Sequence, residues 1–296
     1  MRVLGFGDNI VDRFLDRGVD YPGGNAVNVA VYAHRLGADA DYLGVFGDDD
    51  AGVFLRAAIE DAGVGTAHSV VRAGESGVSS LRVDEGERVF LGWNGGGVTV
   101  TDPIDLDDER EAYAAGFDLV HSSVYSRTES QLPRLRRHDT LVTFDLSSET
   151  EFRTSAYLER VAPHADLVLL SCAGLDEGAA FALLDHAVAH GARLALGTRG
   201  TDGALVTDGR VRRTASARLL TDAEKLVDTM GCGDAFLAGF LVDLHASGWR
   251  RESAPSESAL QAALEAGADA AHDQCLVEGA FARGRRSGDP VPASMW

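Results

Sequence analysis

Residues 228 to 239 read Asp-Thr-Met-Gly-Cys-Gly-Asp-Ala-Phe-Leu-Ala-Gly, and the rest of the chain makes sense around them. Gly231 and Gly233 permit backbone conformations that other residues avoid. The apolar run from Ala235 to Leu241 then reads as a buried helix. A glycine turn that opens a helix aims unpaired N–H groups outward at the positive end of the helix dipole. Phosphate or a developing oxyanion fits such a place. Asp234 stands at its lip, where a carboxylate could take a proton from an attacking hydroxyl. A phosphate turn beside a base points to phosphoryl transfer. Glycine turns before helices are also common, and an Asp at a helix start often serves only as an N-cap. The remaining sequence has to decide between the two.

Composition removes several classes. The 296 residues are 45% hydrophobic, ample for a sizeable core, and no run of about 20 apolar residues offers a membrane span. The N-terminal Met1 to Asp8 reads as a strand and lacks the apolar core of a signal peptide, so a cytoplasmic protein is expected. The net charge of −19 argues against nucleic acid or an anionic membrane as partner. Cys172, Cys232 and Cys275 make neither a disulfide framework nor a zinc spacing. Lys225 is the only lysine, which excludes a Gly-x-x-x-x-Gly-Lys loop. Phosphate chemistry here must rely on backbone N–H groups, arginine and metal.

In chain order, residues 2–7 predict a first strand, with Asp8, Asn9 and Asp12 at its carboxyl end, where ligands of open α/β sheets sit. Asp12 suits a pair of sugar hydroxyls. Gly23-Gly24 gives a tight turn, Asn25 reads as an N-cap, and 26–36 as an apolar helix. Asn28 lies three residues after Asn25, so both carboxamides share a face of the first turn and suit a polyol. A strand over 41–46 and a helix over 53–62 flank Gly47-Asp48-Asp49-Asp50-Ala51-Gly52. Its carboxylates read as a solvated cap with one or two contacts toward substrate.

Residues 66–93 change character. The runs 68–72, 78–83 and 88–91, with a turn at Glu85-Gly86-Glu87, read as hairpin strands; with residues 10–20 they predict a small β lid. From 102 to 198 helices near 107–114, 129–137, 151–161 and 175–190 alternate with strands at 117–121, 141–145, 167–171 and 193–198. That alternation predicts an α/β fold with a mostly parallel central sheet and helices on both faces. A hairpin follows over 203–214, and a helix over 257–273 carries Ala263, Gly267, Ala268, Ala270 and Ala271. Small residues there let a flat ligand, or simply another helix, come close. Residues 1–281 read as one domain with the lid inserted, and 282–296 as a flexible tail.

Two separated motifs, Gly23-Gly24-Asn25 with Asn28, and Asp228-Thr229 with Gly231-Cys232-Gly233-Asp234, resemble the two signatures of the PfkB/ribokinase family of carbohydrate kinases. The resemblance covers residues 1 to about 281. It implies a ribokinase-like fold, ATP and Mg²⁺, and phosphorylation of a primary hydroxyl on a sugar or sugar derivative. Asp234 would be the base, and the N–H groups of Gly231, Cys232 and Gly233 the anion hole. Asp12, Gly24, Asn25 and Asn28 would hold the sugar. Thr198, Gly200 and Gly203 would meet ATP phosphates and ribose, and Ala263, Gly267 and Ala271 would border adenine. The lid would close over the sugar and exclude water. Gly7-Asp8-Asn9, Gly23 to Tyr32, Gly47 to Asp50, Arg88-Val89-Phe90 and Asp228 to Gly231 look most similar to the branch that phosphorylates fructosamines. Fructokinase, ribokinase and 2-keto-3-deoxygluconate kinase types are the alternatives, and a non-catalytic sugar or nucleotide sensor is the rival from another class. The family's Asn-x-x-Glu pattern is missing after the strand ending at Ser171, where Cys172-Ala173-Gly174-Leu175-Asp176-Glu177 stands. The Mg²⁺ ligands are therefore unassigned. The exposed edges of the lid suit pairing with a second copy.

Overall fold

The computed structural model describes residues 1–84, 87–221 and 223–288. Strand β1 (Arg2–Gly7) is followed by the hairpin β2 (Ile10–Phe14) and β3 (Val19–Gly23), then α1 (Asn25–Arg35), β4 (Asp39–Gly47), α2 (Asp50–Asp61) and β5 (Val70–Arg72). A second hairpin, β6 (Val78–Asp84) and β7 (Glu87–Trp93), leads to α3 (Val98–Thr101) and α4 (Asp108–Ala114). Next come β8 (Leu119–Ser123), α5 (Leu132–Leu135), β9 (Leu141–Asp145), α6 (Ser155–Val161), β10 (Leu167–Ser171), α7 (Glu177–Ala189) and β11 (Leu194–Thr198). The chain ends on β12 (Ala204–Thr207), β13 (Arg212–Ala215), α8 (Cys232–Ala246), α9 (Glu257–Gln274) and β14 (Arg285–Arg286).

Among the described residues the main sheet has nine strands in the order β13-β12-β11-β10-β9-β8-β1-β4-β5. All its pairings are parallel except those of β12 with β11 and with β13. Strands buried on both faces lose the polar alternation of a half-exposed sheet and read as continuous apolar runs. In β10, Leu167 and Leu169 face the core shared with α1, α8 and α9, while Val168 and Leu170 face α5, α6 and α7. A third cluster joins the lid to α1 and α2 through Val11, Phe14, Leu81, Phe54 and Phe281.

The lid differs from the expected one. Among the described residues it is a five-stranded sheet, β14-β3-β2-β6-β7, so it draws on 10–23, 78–93 and 285–286. The run at 68–72 belongs elsewhere: β5 pairs in parallel with β4 at the edge of the main sheet. It completes a strand–helix–strand unit with α2, the geometry a right-handed crossover favours. Nor is the segment after Ala282 a free tail: Arg285 and Arg286 pair with Asp20 and Val19, and Ser287 Oγ donates to Asp20 Oδ1 (2.7 Å). Residues 85–86, in the expected hairpin turn, and 289–296, with Pro290 and Pro292, lie outside the described residues.

Local capping moves several helix boundaries. The helix expected from 53 starts at Asp50, because Asp49 accepts from Gly52 N (2.8 Å). Asp49 also accepts from Ser76 N (3.0 Å), and Asp48 from Gly74 N (2.8 Å). The acidic turn thus pins the loop before β6. The helix expected over 151–161 begins only at Ser155, capped by Thr154, after a 3₁₀ turn at Thr150–Arg153. The one expected over 129–137 is a 3₁₀ turn (Glu129–Gln131) followed by the short α5.

Candidate active site

The carboxyl ends of β1, β8 and β9 open under the lid into a cavity of about 650 Å³. Asp12, Gly24, Asn25, Asn28, Gly231 and Asp234 all line it, so residues over 200 positions apart in sequence meet there. Asn25 is not the cap of α1. Gly24 occupies the cap position with φ 116°, and a Cβ there would stand 2.7 Å from Asn9 Cα. The capping is done from across the sheet: Asp8 accepts from the backbone N of Asn25 (2.6 Å) and Ala26 (3.3 Å). That leaves the Asn25 amide for other partners. Its Nδ2 donates to Asp145 Oδ2 (2.6 Å) and Asp234 Oδ1 (3.1 Å), while Asn28 Nδ2 donates to Asp234 Oδ2 (2.7 Å). Asn28 Oδ1 is buried with no partner among the described residues. A buried acceptor of that kind needs an explanation, and a ligand hydroxyl would supply one.

Asp234 is 9% exposed. Burial raises its carboxyl well above the usual range, the nearby Asp145 charge adds to the rise, and the Asn28 bond opposes it. Asp145 is pushed up to about 7, first by burial, with Ser147 N opposing and Asp8 adding. Asp145 escaped the sequence reading although it ends a predicted strand, the same position that drew attention to Asp8 and Asp12. Also unread were Tyr125 and Glu149: the Tyr125 hydroxyl donates to Glu149 Oε1 (2.6 Å), and both line the cavity with Glu151, Phe90 and Trp93.

The glycine turn has its own logic. Gly231 has φ 74° and precedes α8, and a Cβ on it would collide with the Tyr32 hydroxyl. A Cβ on Gly233 would meet nothing within 4 Å, so the turn opens onto free space where a phosphate could lie. Cys232 departs from the expectation: its N–H donates to Thr229 O (3.3 Å), inside the turn itself. Asp228 braces the turn by accepting from Met230 N (3.0 Å) and Gly279 N (3.2 Å).

Of the residues expected at a nucleotide, Thr198 ends β11, and Gly200 (φ 60°) and Gly203 (φ 89°) shape the loop after it. Arg199 N donates across that loop to Gly203 O (2.8 Å). Gly200 has open space beside its Cα, whereas Gly203 packs on Ala215. Gly267 needs no ligand to explain it, since a Cβ there would stand 2.8 Å from the Phe236 ring where α8 and α9 touch. Ala271 packs partly buried against the same core. None of the five lines the cavity. No group of three His, Cys, Asp or Glu side chains among the described residues converges on a metal position.

The pfkB family carbohydrate kinase profile matches residues 15–274. Fructosamine kinase FrlD of Bacillus subtilis is 34% identical over 286 residues, covering 96% of this chain and 94% of its own. The fructoselysine 6-kinase of Escherichia coli is 32% identical over 235 residues, 79% of this chain and 86% of its own. A fructokinase from Vibrio cholerae, solved with fructose, ADP and calcium, superposes with a TM-score of 0.71 at 22% identity, over 99% of this chain and 97% of that one.

Proposed function

The chain belongs to the pfkB family of carbohydrate kinases, which makes it a phosphotransferase acting on a sugar hydroxyl, and from that premise we propose that it phosphorylates a primary hydroxyl of a fructosamine with ATP. The observation that carries the reading is the convergence of Asn25 and Asn28 on Asp234 beside an open glycine turn.

In this reading the sugar lies between Asp12, Gly24, Asn25 and Asn28. Its primary hydroxyl donates to an Asp234 oxygen, which takes the proton as the hydroxyl oxygen attacks the γ-phosphorus and the bond from that phosphorus to the bridging oxygen breaks, ADP leaving. Burial keeps the base basic, and the two amides fix its orientation, so positioning is in place before substrate arrives. The turn at Gly231, Cys232 and Gly233 receives the transferring phosphoryl group, with Cys232 N–H released from Thr229 O to complete the donor set. Thr198, Gly200 and Gly203 face the nucleotide, and Gly267 and Ala271 border its base. Mg²⁺ would arrive on the nucleotide's phosphates, since this ion is usually held by one or two carboxylates together with substrate phosphates and no cluster of three ligating side chains converges among the described residues. The acidic wall formed by Glu149 and Glu151 suits the ammonium of a fructosamine, which neutral hexoses lack.

No helix among the described residues is long and apolar enough to cross a membrane, and a cytoplasmic enzyme fits the two-substrate chemistry. Residues 1–288 act as one kinase unit in which the lid closes on the sugar. The exposed Leu15, Phe90, Leu91 and Trp93 favour pairing of the lid with a second copy. The test is ADP release with ATP and Mg²⁺ across fructoselysine and other fructosamines, fructose, ribose, 2-keto-3-deoxygluconate and adenosine. Fructosamines are expected to lead in kcat/KM. Preference for another sugar would keep the kinase and replace its substrate. Nucleotide or sugar binding with no turnover on any member would favour a sensor.

A further inference from the structure

A pair of cysteines lies next to the glycine turn, and the proposed mechanism uses neither thiol. Cys232, the first residue of α8, and Cys275, just past the end of α9, come from positions 43 apart and bring Sγ to within 3.4 Å of Sγ. Both are partly exposed, whereas Cys172 is fully buried. The hydrogen bond with Cys232 lowers the Cys275 thiol to about 7, burial opposes, and His272 adds to the lowering. A thiolate is the reactive form of cysteine, so Cys275 is the member primed to attack. The backbone around the pair is latched to the turn as well. Cys275 O accepts from Val227 N (2.9 Å), and Gln274 Nε2 donates to Met230 O (3.0 Å).

We propose that Cys232 and Cys275 are a site of reversible oxidative modification, forming an intrachain disulfide that takes the glycine turn out of its working geometry. The oxidant is a hydroperoxide. The Cys275 thiolate attacks its terminal oxygen, the O–O bond breaks, and the leaving oxygen departs as alcohol or water after taking a proton. Cys275 is then a sulfenic acid. The Cys232 sulfur attacks it, the S–O bond breaks, and the hydroxyl leaves as water with the proton Cys232 gives up. Two thiols lose two electrons and the peroxide gains them. A disulfide requires the sulfurs at about 2.05 Å. Closing the gap draws the two sulfurs together by over an ångström beside the turn, a scale at which misplacement in an active site costs about 100-fold. That cost rests on the kinase reading of the turn; the cross-link itself does not.

The full-length protein is treated with hydrogen peroxide, alkylated, digested and mapped by mass spectrometry, while ADP release is followed with the best sugar of the panel. A Cys232–Cys275 peptide is expected, with Cys172 unmodified. Turnover should fall by at least about tenfold and return with dithiothreitol. Cys275→Ser keeps the backbone contacts, so it should match the untreated parent and lose its sensitivity to peroxide; Cys275→Ala serves if the serine variant folds poorly. Absence of the cross-link overturns the proposal, as does a cross-linked enzyme with unchanged turnover or a Cys275→Ser variant inactivated like the parent. If no sugar is phosphorylated, the kinase reading fails on its own. The peptide map and the change in ADP affinity on oxidation, measured by calorimetry, then still decide the cross-link and its effect on the turn.

Discussion

Asp8 and Asp234 meet the same problem, a carboxylate buried at the start of a helix, and resolve it differently. Asp8 is 5% exposed and accepts from two backbone N–H groups at the start of α1 and from the hydroxyls of Ser123 (2.8 Å) and Ser126 (2.6 Å). Its oxygens are met by hydrogen-bond donors that belong to the fold. Asp234, the third residue of α8, accepts from two carboxamides on another helix and sits near a second buried carboxyl. One arrangement is a cap. The other leaves a basic carboxylate facing the cavity that both residues line. Residue type and burial beside a helix start are shared, so what separates structure from chemistry is the donor set.

The largest effect on turnover should come from Asp234→Asn. Removing a general base typically costs 10²–10⁴-fold, and a loss of about 10³ in kcat is expected. Sugar affinity by calorimetry should change only a few-fold, because the new amide oxygen still accepts from one of the two carboxamides while its nitrogen faces the other. A variant with parental kcat would move the base elsewhere and erase the distinction drawn between the two carboxylates.

Much of this was legible in the sequence, and the reasons differ by residue. The glycine turn and the Asn25–Asn28 pair are local: three-residue helical spacing and the need for positive φ at Gly231 can be read from a short stretch. Strands β9, β10 and β11 were legible because burial on both faces leaves an uninterrupted apolar run. The placement of β5 was not, since a three-residue strand gives no periodicity to distinguish a lid edge from a sheet edge, and only its pairing with β4 decides it. The role of Asp8 was hidden for a related reason, because a cap supplied from another strand leaves no trace at the helix it caps. Asp145 was visible as a strand-terminal carboxylate, but its pairing with Asn25 is a contact across 120 positions. The Cys232–Cys275 contact and the packing role of Gly267 are likewise products of α8 meeting α9.

Asp145→Asn should act next most strongly, through pH. Asp234 must be ionised to serve as base, and the charge on Asp145 raises its carboxyl. Neutralising position 145 removes that charge, so the acid limb of kcat/KM should move to lower pH. Stability gives a second readout. Asp145 sits at about 7 in the fold, above the usual carboxyl value of about 4. Its protonated form therefore stabilises the fold below about pH 4, and that contribution is lost as pH rises through about 7. Urea midpoints of the parent should fall across this window relative to those of Asp145→Asn. Identical pH dependences would detach Asp145 from the base.

The smallest effect on chemistry is expected at the other half of the comparison. In Asp8→Asn one oxygen must replace a carboxylate that serves four donors, and the new amide group points donors at donors. The loss should be about 1–2 kcal/mol, read from urea unfolding with an unchanged m-value, since a helix cap and a buried hydroxyl contact are weakened together. Turnover should stay within a few-fold of the parent. The acid limb should still drift downward, by less than in Asp145→Asn, because Asp8 is a smaller contributor than Asp145 to the rise at Asp234. If Asp8→Asn instead abolished turnover while leaving the urea midpoint in place, the donor set would not be what separates these two carboxylates, and Asp8 would have to be counted among the groups that touch substrate.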